Sequence, residues 1–214
     1  MNEKFLKVPN WYLRFVRANK DFFFVLLWLY WNCDYYTQSG CFAFAELIGA
    51  TKEKPTPARL ARLKKALALL TQAGVLTLQG DPNILKLKPR QLVHVERFDY
   101  RYFLDLKKGF VLIPDSIIRK LLFKNFCISS ENQRANVMNV FFEAMVKFDS
   151  KAKKTNFRYS TVAKSLCLPV EQVRECVDAM KRVIFQEAHW TGVSIYSDCA
   201  SKRLVLDKEK KEEK

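Results

Sequence analysis

Few residues in this chain are equipped for covalent chemistry, and those that are stand apart from one another. The two histidines, His94 and His189, have no cysteine or carboxylate at the short spacing that a metal site or an acid–base pair needs. The six cysteines include no Cys-x-x-Cys pair, which argues against structural zinc and against a redox couple. Cys33, Cys41, Cys167 and Cys176 read as small core residues. No Gly-x-x-x-x-Gly-Lys-Ser/Thr loop occurs, and six glycines leave little material for any phosphate cradle. Acids share a helical face only at Glu171, Glu175 and Asp178, with no pocket implied. The expectation is a protein that is not an enzyme and that uses no metal and no cofactor.

What the chain does supply is positive charge. Its 214 residues carry a net charge of +15, spread over both halves and not gathered in a tail. That balance points to a polyanion as partner. The densest cluster is Arg59, Arg62, Lys64 and Lys65, preceded by Lys52 and Lys54 and followed by Lys86, Lys88 and Arg90. No carboxylate falls between Pro55 and Gly80. Cations without acids to balance them suit phosphate, and double-stranded DNA is the expected partner.

Positioning those cations requires regular elements. The period of 3.6 residues predicts a helix over 57–73, with Leu60, Leu63, Leu67 and Leu70 as its core stripe beside Ala66 and Ala73. Arg62, Lys65, Leu69 and Gln72 fall on its far side, with Arg59 and Lys64 on the flanks. A shorter helix over 44–49 and a connector over 50–56 come before it, and Gly74 suits the left-handed position that ends a helix. Strands are predicted over 75–79 and 84–88 around Gly80-Asp81-Pro82-Asn83, with Lys86, Lys88 and Arg90 along one edge. Helix, helix and basic hairpin in that order make a winged helix-turn-helix, with the long helix in the major groove and the wing on the backbone.

The pattern occurs twice. Phe5-Leu6-Lys7-Val8-Pro9-Asn10 matches Phe110-Val111-Leu112-Ile113-Pro114-Asp115, and each is followed by helical stretches over 11–19 and 116–125. Apolar helices then come at 21–36 and 130–148, where Ser130 and Gln133 have the spacing of a capping box. The run 44–50 corresponds to 162–168, and 169–184 forms the second long helix with Val173, Cys176, Val177 and Met180 inward. A hairpin is expected from 185–190 and 193–196 around Thr191-Gly192. The fold class is therefore mainly α with small β-wings: two tandem winged helix-turn-helix domains from an internal duplication, at 1–90 and 110–206.

The copies differ in charge. Outward on the second long helix lie Glu171, Glu175, Asp178 and Arg182, so DNA contact there would instead use Lys151, Lys153, Lys154 and Arg158. A protein partner for that helix, such as a replication or chromosome-organising protein, is the alternative. The stretch 91–109 reads as an aromatic and basic linker, with Phe98, Tyr100, Tyr102 and Phe103 among Arg97, Arg101, Lys107 and Lys108. Its rings either pack between the domains or stack on unpaired bases. Residues 207–214 read as a charged tail.

The apolar run 22–31 is about half of what a bilayer span needs, so no membrane is expected. With no signal peptide, the expected compartment is a reducing cytoplasm, in association with the nucleoid. A homodimer is left open by the sequence.

The repeated lead-in, with Leu13-Arg14 and Ile118-Arg119 at matching places before each winged helix, resembles plasmid and phage replication initiators and DnaD-like replisome organisers. The resemblance covers residues 5–87 and 110–196. It implies origin binding in replication initiation or origin organisation, with Arg59, Arg62 and Lys65 as groove readers and Lys86 and Lys88 as wing contacts. Transcriptional regulation and a winged-helix scaffold in a chromosome-organising complex are the alternatives.

Overall fold

The computed structural model describes residues 4–80, 82–99, 109–128, 132–149, 154–155, 157–184, 192–198 and 201–207. Among these the protein is mixed α/β, with eight α-helices and several two- or three-stranded sheets. The chain divides into two compact units, Met1–Leu122 and Phe123–Lys214.

The first unit is built on α2 (Phe22–Asn32), in which Phe22 through Tyr30 are all buried. A helix apolar on every side must be enclosed. Each of its large side chains contributes roughly 1.5–3 kcal/mol by leaving water. It is too short to span a bilayer, and no helix among the described residues is long and apolar enough to cross a membrane.

Before it come β1 (Phe5–Pro9), a 3-10 turn (Asn10–Tyr12) and α1 (Leu13–Ala18). After it come β2 (Gly40–Ala43), α3 (Phe44–Ala50), α4 (Pro57–Gln72) and β3 (Leu76–Leu78). The helix α4 matches the sequence expectation closely. Its start is set by Thr56, whose Oγ1 accepts from the Arg59 N–H at 3.2 Å, and by Pro57 in the first turn. Its end is set by Gly74 at φ 70°, with the Val75 N–H donating to the Leu70 carbonyl at 3.0 Å. Leu63, Ala66, Leu67 and Leu70 form its buried stripe, while Leu60 is half-buried.

The hairpin behind α4 differs from the expectation. Residues 84–88 do not form a strand: Ile84–Lys86 is a 3-10 turn, closed by the Lys86 N–H on the Asn83 carbonyl at 2.9 Å. Proline at 82 and at 89 removes backbone donors on both sides, which disfavours a ladder there. The strand that pairs is β4 (Leu92–Phe98), in a sheet of order β2-β4-β3. Val93, Val95 and Phe98 are its buried positions, and their burial fixes the register that the turn sequence alone did not. Part of the expected linker is thus the central strand of the first unit, and residues 82–91 form a loop before it. Phe98 packs in the core, whereas Tyr100, Arg101, Tyr102, Phe103, Lys107 and Lys108 lie outside the described residues.

The two lead-in segments pair with each other. Strand β5 (Phe110–Pro114) runs antiparallel to β1, from Phe5↔Pro114 to Pro9↔Phe110. The middle pair, Lys7↔Leu112, joins two positions that correspond in the repeated pattern. Helix α5 (Asp115–Phe123) follows, tied to α2 by the Tyr30 hydroxyl donating to Asp115 Oδ1 at 2.7 Å. The first unit therefore extends past residue 90 through β5 and nearly all of α5.

The second unit contains α6 (Gln133–Val146), β6 (Phe148–Asp149), β7 (Lys154–Thr155), β8 (Phe157–Arg158), α7 (Tyr159–Leu166) and α8 (Val170–Val183). As expected, Val173, Cys176, Val177 and Met180 are fully buried. Of the expected hairpin, residues 193–196 do lie in a strand, while 185–190 lie outside the described residues; the hairpin that the described residues form is the next one. It consists of β9 (Gly192–Asp198) and β10 (Ser201–Asp207), in a sheet of order β8-β10-β9. Gly192 opens a strand where a turn was expected, and the register sets Leu204 opposite Ile195 and Leu206 opposite Val193. Residues 185–191, Ser130 of the expected capping box and residues 208–214 of the expected tail lie outside the described residues.

Candidate nucleic-acid interface

The exposed side of α4 follows from its buried side. Opposite Leu63, Leu67 and Leu70 stand Ala58, Ala61, Lys65 and Gln72, all exposed, with Ala68 half-buried among them. Small side chains around a lysine and a glutamine leave this face low and open. Arg62 and Lys64 occupy opposite flanks, because two residues turn a helix by about 200°.

The two flanks are anchored differently. On one, Lys64 Nζ donates to the Leu85 carbonyl at 3.2 Å, which brings the 84–86 turn against α4. Lys86 at the end of that turn and Lys88 and Arg90 beyond it are exposed, while Leu87 is buried. The loop returns to the body through the N-terminus of α3, where the Phe44 and Ala45 N–H groups donate to the carbonyls of Gln91 (3.0 Å) and Pro89 (2.7 Å). Those first-turn donors have no partner inside their own helix, so the loop carbonyls satisfy them and fix its base. The expected basic edge is therefore beside α4, on a loop and not on a strand.

On the other flank Arg62 is held by Asp21, with Nε donating to Oδ2 at 2.7 Å. The Asn19 side-chain amide donates to the Arg62 carbonyl at 2.8 Å, and Asn19 Oδ1 accepts from the Asp21 N–H at 3.0 Å. Asp21 is nearly inaccessible, whereas the Arg62 side chain keeps 27% of its exposure. Arg62 thus presents an edge to solvent with its charge largely matched.

Arg59 is not on the surface. Its side chain is only 7% exposed, is paired with Glu53, and donates from Nη1 to the Lys54 carbonyl at 3.3 Å. The role as groove reader that the resemblance implied is therefore corrected: Arg59 pins the 51–56 connector onto the first turn of α4. In that connector Lys52 sits at φ 56°, and both Lys52 and Lys54 are exposed near the start of the helix.

Sequence reasoning missed Asp21 and Glu53 as partners of these arginines. No local spacing could have revealed Asp21, which lies 41 residues from Arg62.

In the second unit Arg158 is exposed at the start of α7 and faces Arg203 across the β8–β10 ladder. Lys154 lies in β7 opposite Asp149, and Lys151 and Lys153 lie outside the described residues. On α8, Arg174 pairs with Glu171 and Lys181 with Asp178, so the outward acids are partly balanced by their own helix. Arg182 donates to the Cys127 carbonyl at 3.5 Å. Strand β10 adds Lys202 and Arg203, which sequence reasoning did not place.

The chemistry-bearing residues stay dispersed. Cys41 and His94 do meet across the β2–β4 ladder, Sγ to Nε2 at 3.9 Å on an exposed face, a proximity that their sequence spacing hid. Among the described residues no group of three or more His, Cys, Asp and Glu is placed to hold a metal ion. Burial pushes the Cys33 and Cys176 thiols up to about 12; of the four cysteines expected in the core Cys176 is buried and Cys33 half-buried, whereas Cys41 and Cys167 are exposed. His189 lies outside the described residues. Compared with protein families, curated proteins and solved structures, the chain matches none.

Proposed function

We propose that the protein binds double-stranded DNA through two tandem winged helices, with α4 entering the major groove and the 82–91 loop acting as the wing. The observation that carries this reading is the Lys64–Leu85 hydrogen bond, because it sets the exposed row Lys86, Lys88 and Arg90 directly beside the open face of α4. Lys65 is then the central cation of the groove helix, and Gln72 and the alanines beside it leave room for base edges. Lys52 and Lys54 flank the helix start. The duplication is supported by topology: both units contain a strand that leads into a short helix, then a long helix and two strands, and in both three-stranded sheets the last strand lies between the other two, although the second unit has two further strands, β6 and β7, after its first helix. The pairing of the two lead-in strands about Lys7↔Leu112 agrees with it.

The net charge of +15 favours a polyanion and strong salt dependence. The proposed setting is replication initiation or origin organisation of the plasmid or phage type, with transcriptional regulation as the alternative. That setting rests on the resemblance of the lead-in motifs. In the second unit, Glu171, Glu175 and Asp178 on α8 favour a protein partner for that helix, with Arg158 as a cation for a duplex.

A gel-shift titration of Lys65→Glu combined with Lys88→Glu tests the proposal. Both side chains are exposed, so the fold should survive and duplex affinity should fall by two orders of magnitude or more, about tenfold for each reversed contact. Unchanged affinity would remove α4 and its loop from the interface. Recovery of the bound sequence from a random duplex pool separates the two settings: direct repeats favour an initiator, and one short inverted repeat favours a dimeric regulator.

A further inference from the structure

The basic loop lies along only one flank of α4. Seated in a major groove, a helix about 10–12 Å across faces a phosphate ridge on each side of a groove about 12 Å wide. The other flank of α4 is occupied by the corner between α1 and α2. Its anchors are the Asn19 amide on the Arg62 carbonyl at 2.8 Å and the Arg62–Asp21 ion pair at 2.7 Å. These contacts fix residues 19–21 against the middle of α4, one turn from Lys65. Lys20 lies inside that segment, half-buried, and Arg17 is exposed in the last turn of α1. Asp21, in the same corner, is buried and paired with Arg62.

We infer that Arg17 and Lys20 form a second phosphate clamp, gripping the backbone ridge opposite the one held by Lys86, Lys88 and Arg90. This inference rests on the duplex-binding reading of α4. It assigns a DNA contact to the α1–α2 corner, whose cations lie 40 and 37 residues before the first residue of the groove helix in sequence. The clamp makes Arg62 a positioning residue: through Asp21 and Asn19 it sets the distance of the corner from α4. It also explains why a groove helix would keep an arginine with its charge largely neutralised.

The test compares Arg17→Gln/Lys20→Gln with the wild-type chain on a mixed-sequence duplex about three helical turns long, titrated over a range of salt. Arg119→Gln/Lys124→Gln, two exposed cations elsewhere, makes the same change in net charge and serves as control. The clamp predicts affinity at low salt reduced about tenfold or more, and a salt slope shallower by about one per residue removed. The control should change the slope by less than half as much. Backbone protection should be lost along one ridge of the groove and kept along the other. The charge-conserving Arg17→Lys/Lys20→Arg variant should bind like wild type, which separates lost contacts from lost folding. If the corner variant matches the control in slope and protection while Lys65→Glu abolishes binding, the clamp is overturned and the duplex-binding reading stands. If the wild-type chain binds no duplex at all, both fall.

Discussion

Replacing Arg59 and replacing Lys65 should have opposite consequences, although the two residues look alike in the sequence. Arg59→Met keeps an aliphatic stem but removes a guanidinium that is 7% exposed and engaged by Glu53 and the Lys54 carbonyl. Removing one partner of a buried ion pair costs about 3–5 kcal/mol. Glu53 keeps 18% exposure and can turn toward water, so the cost here is about 2–3 kcal/mol. For a chain of this size that lowers the unfolding midpoint by roughly 5–10 °C. Lys65→Met changes an exposed side chain, so its stability should stay within about 0.5 kcal/mol of wild type.

Tryptophan fluorescence suits the measurement, since Trp11, Trp28 and Trp31 all belong to the first unit. Well below its midpoint Arg59→Met should bind duplex nearly as well as wild type, while Lys65→Met should bind several-fold more weakly at low salt. An Arg59→Met variant that melts with the wild type and loses duplex binding would refute the reasoning, and would return Arg59 to the groove.

Two further outcomes follow from the geometry. At pH 8 a thiol with a pKa near 12 is thiolate in only about one molecule in ten thousand, so Cys33 and Cys176 should resist a maleimide or disulfide reagent. Exposed Cys41, Cys127 and Cys167 should label quickly; labelling of Cys176 at the rate of Cys41, read by mass spectrometry, would contradict its burial. Gly109 sits at φ 74°, and a methyl group there would lie 2.7 Å from the Asn10 amide nitrogen. Gly109→Ala should therefore destabilise by about 1–2 kcal/mol. Adding Asn10→Ser should relieve the clash but not the backbone strain, and full recovery of the midpoint would show that the left-handed conformation costs nothing.

How much of this was legible in the chain depended on the range of the interaction. Helix α4 could be read almost to the residue, because a proline-threonine start, a leucine stripe and a terminal glycine are all local signals. The enclosed character of α2 and the inward residues of α8 followed from periodicity in the same way. The repeated lead-in was visible as a pattern, but its pairing across more than a hundred residues was not.

Strand partners were beyond the sequence for a physical reason. A turn such as Gly80-Asp81-Pro82-Asn83 suggests a tight hairpin, yet the register is decided by which face of the strand buries Val93, Val95 and Phe98. The first hairpin was accordingly expected too early. Charge was the other case. The sequence determined that the first unit is rich in cations and that α4 carries them without acids of its own. Only tertiary structure decided which cations remain available, by carrying Asp21 from another helix to Arg62 and folding Glu53 over Arg59. Helical periodicity acts over a few residues and is written in spacing, whereas the pairing of a charge depends on whichever acid the packed core brings within reach.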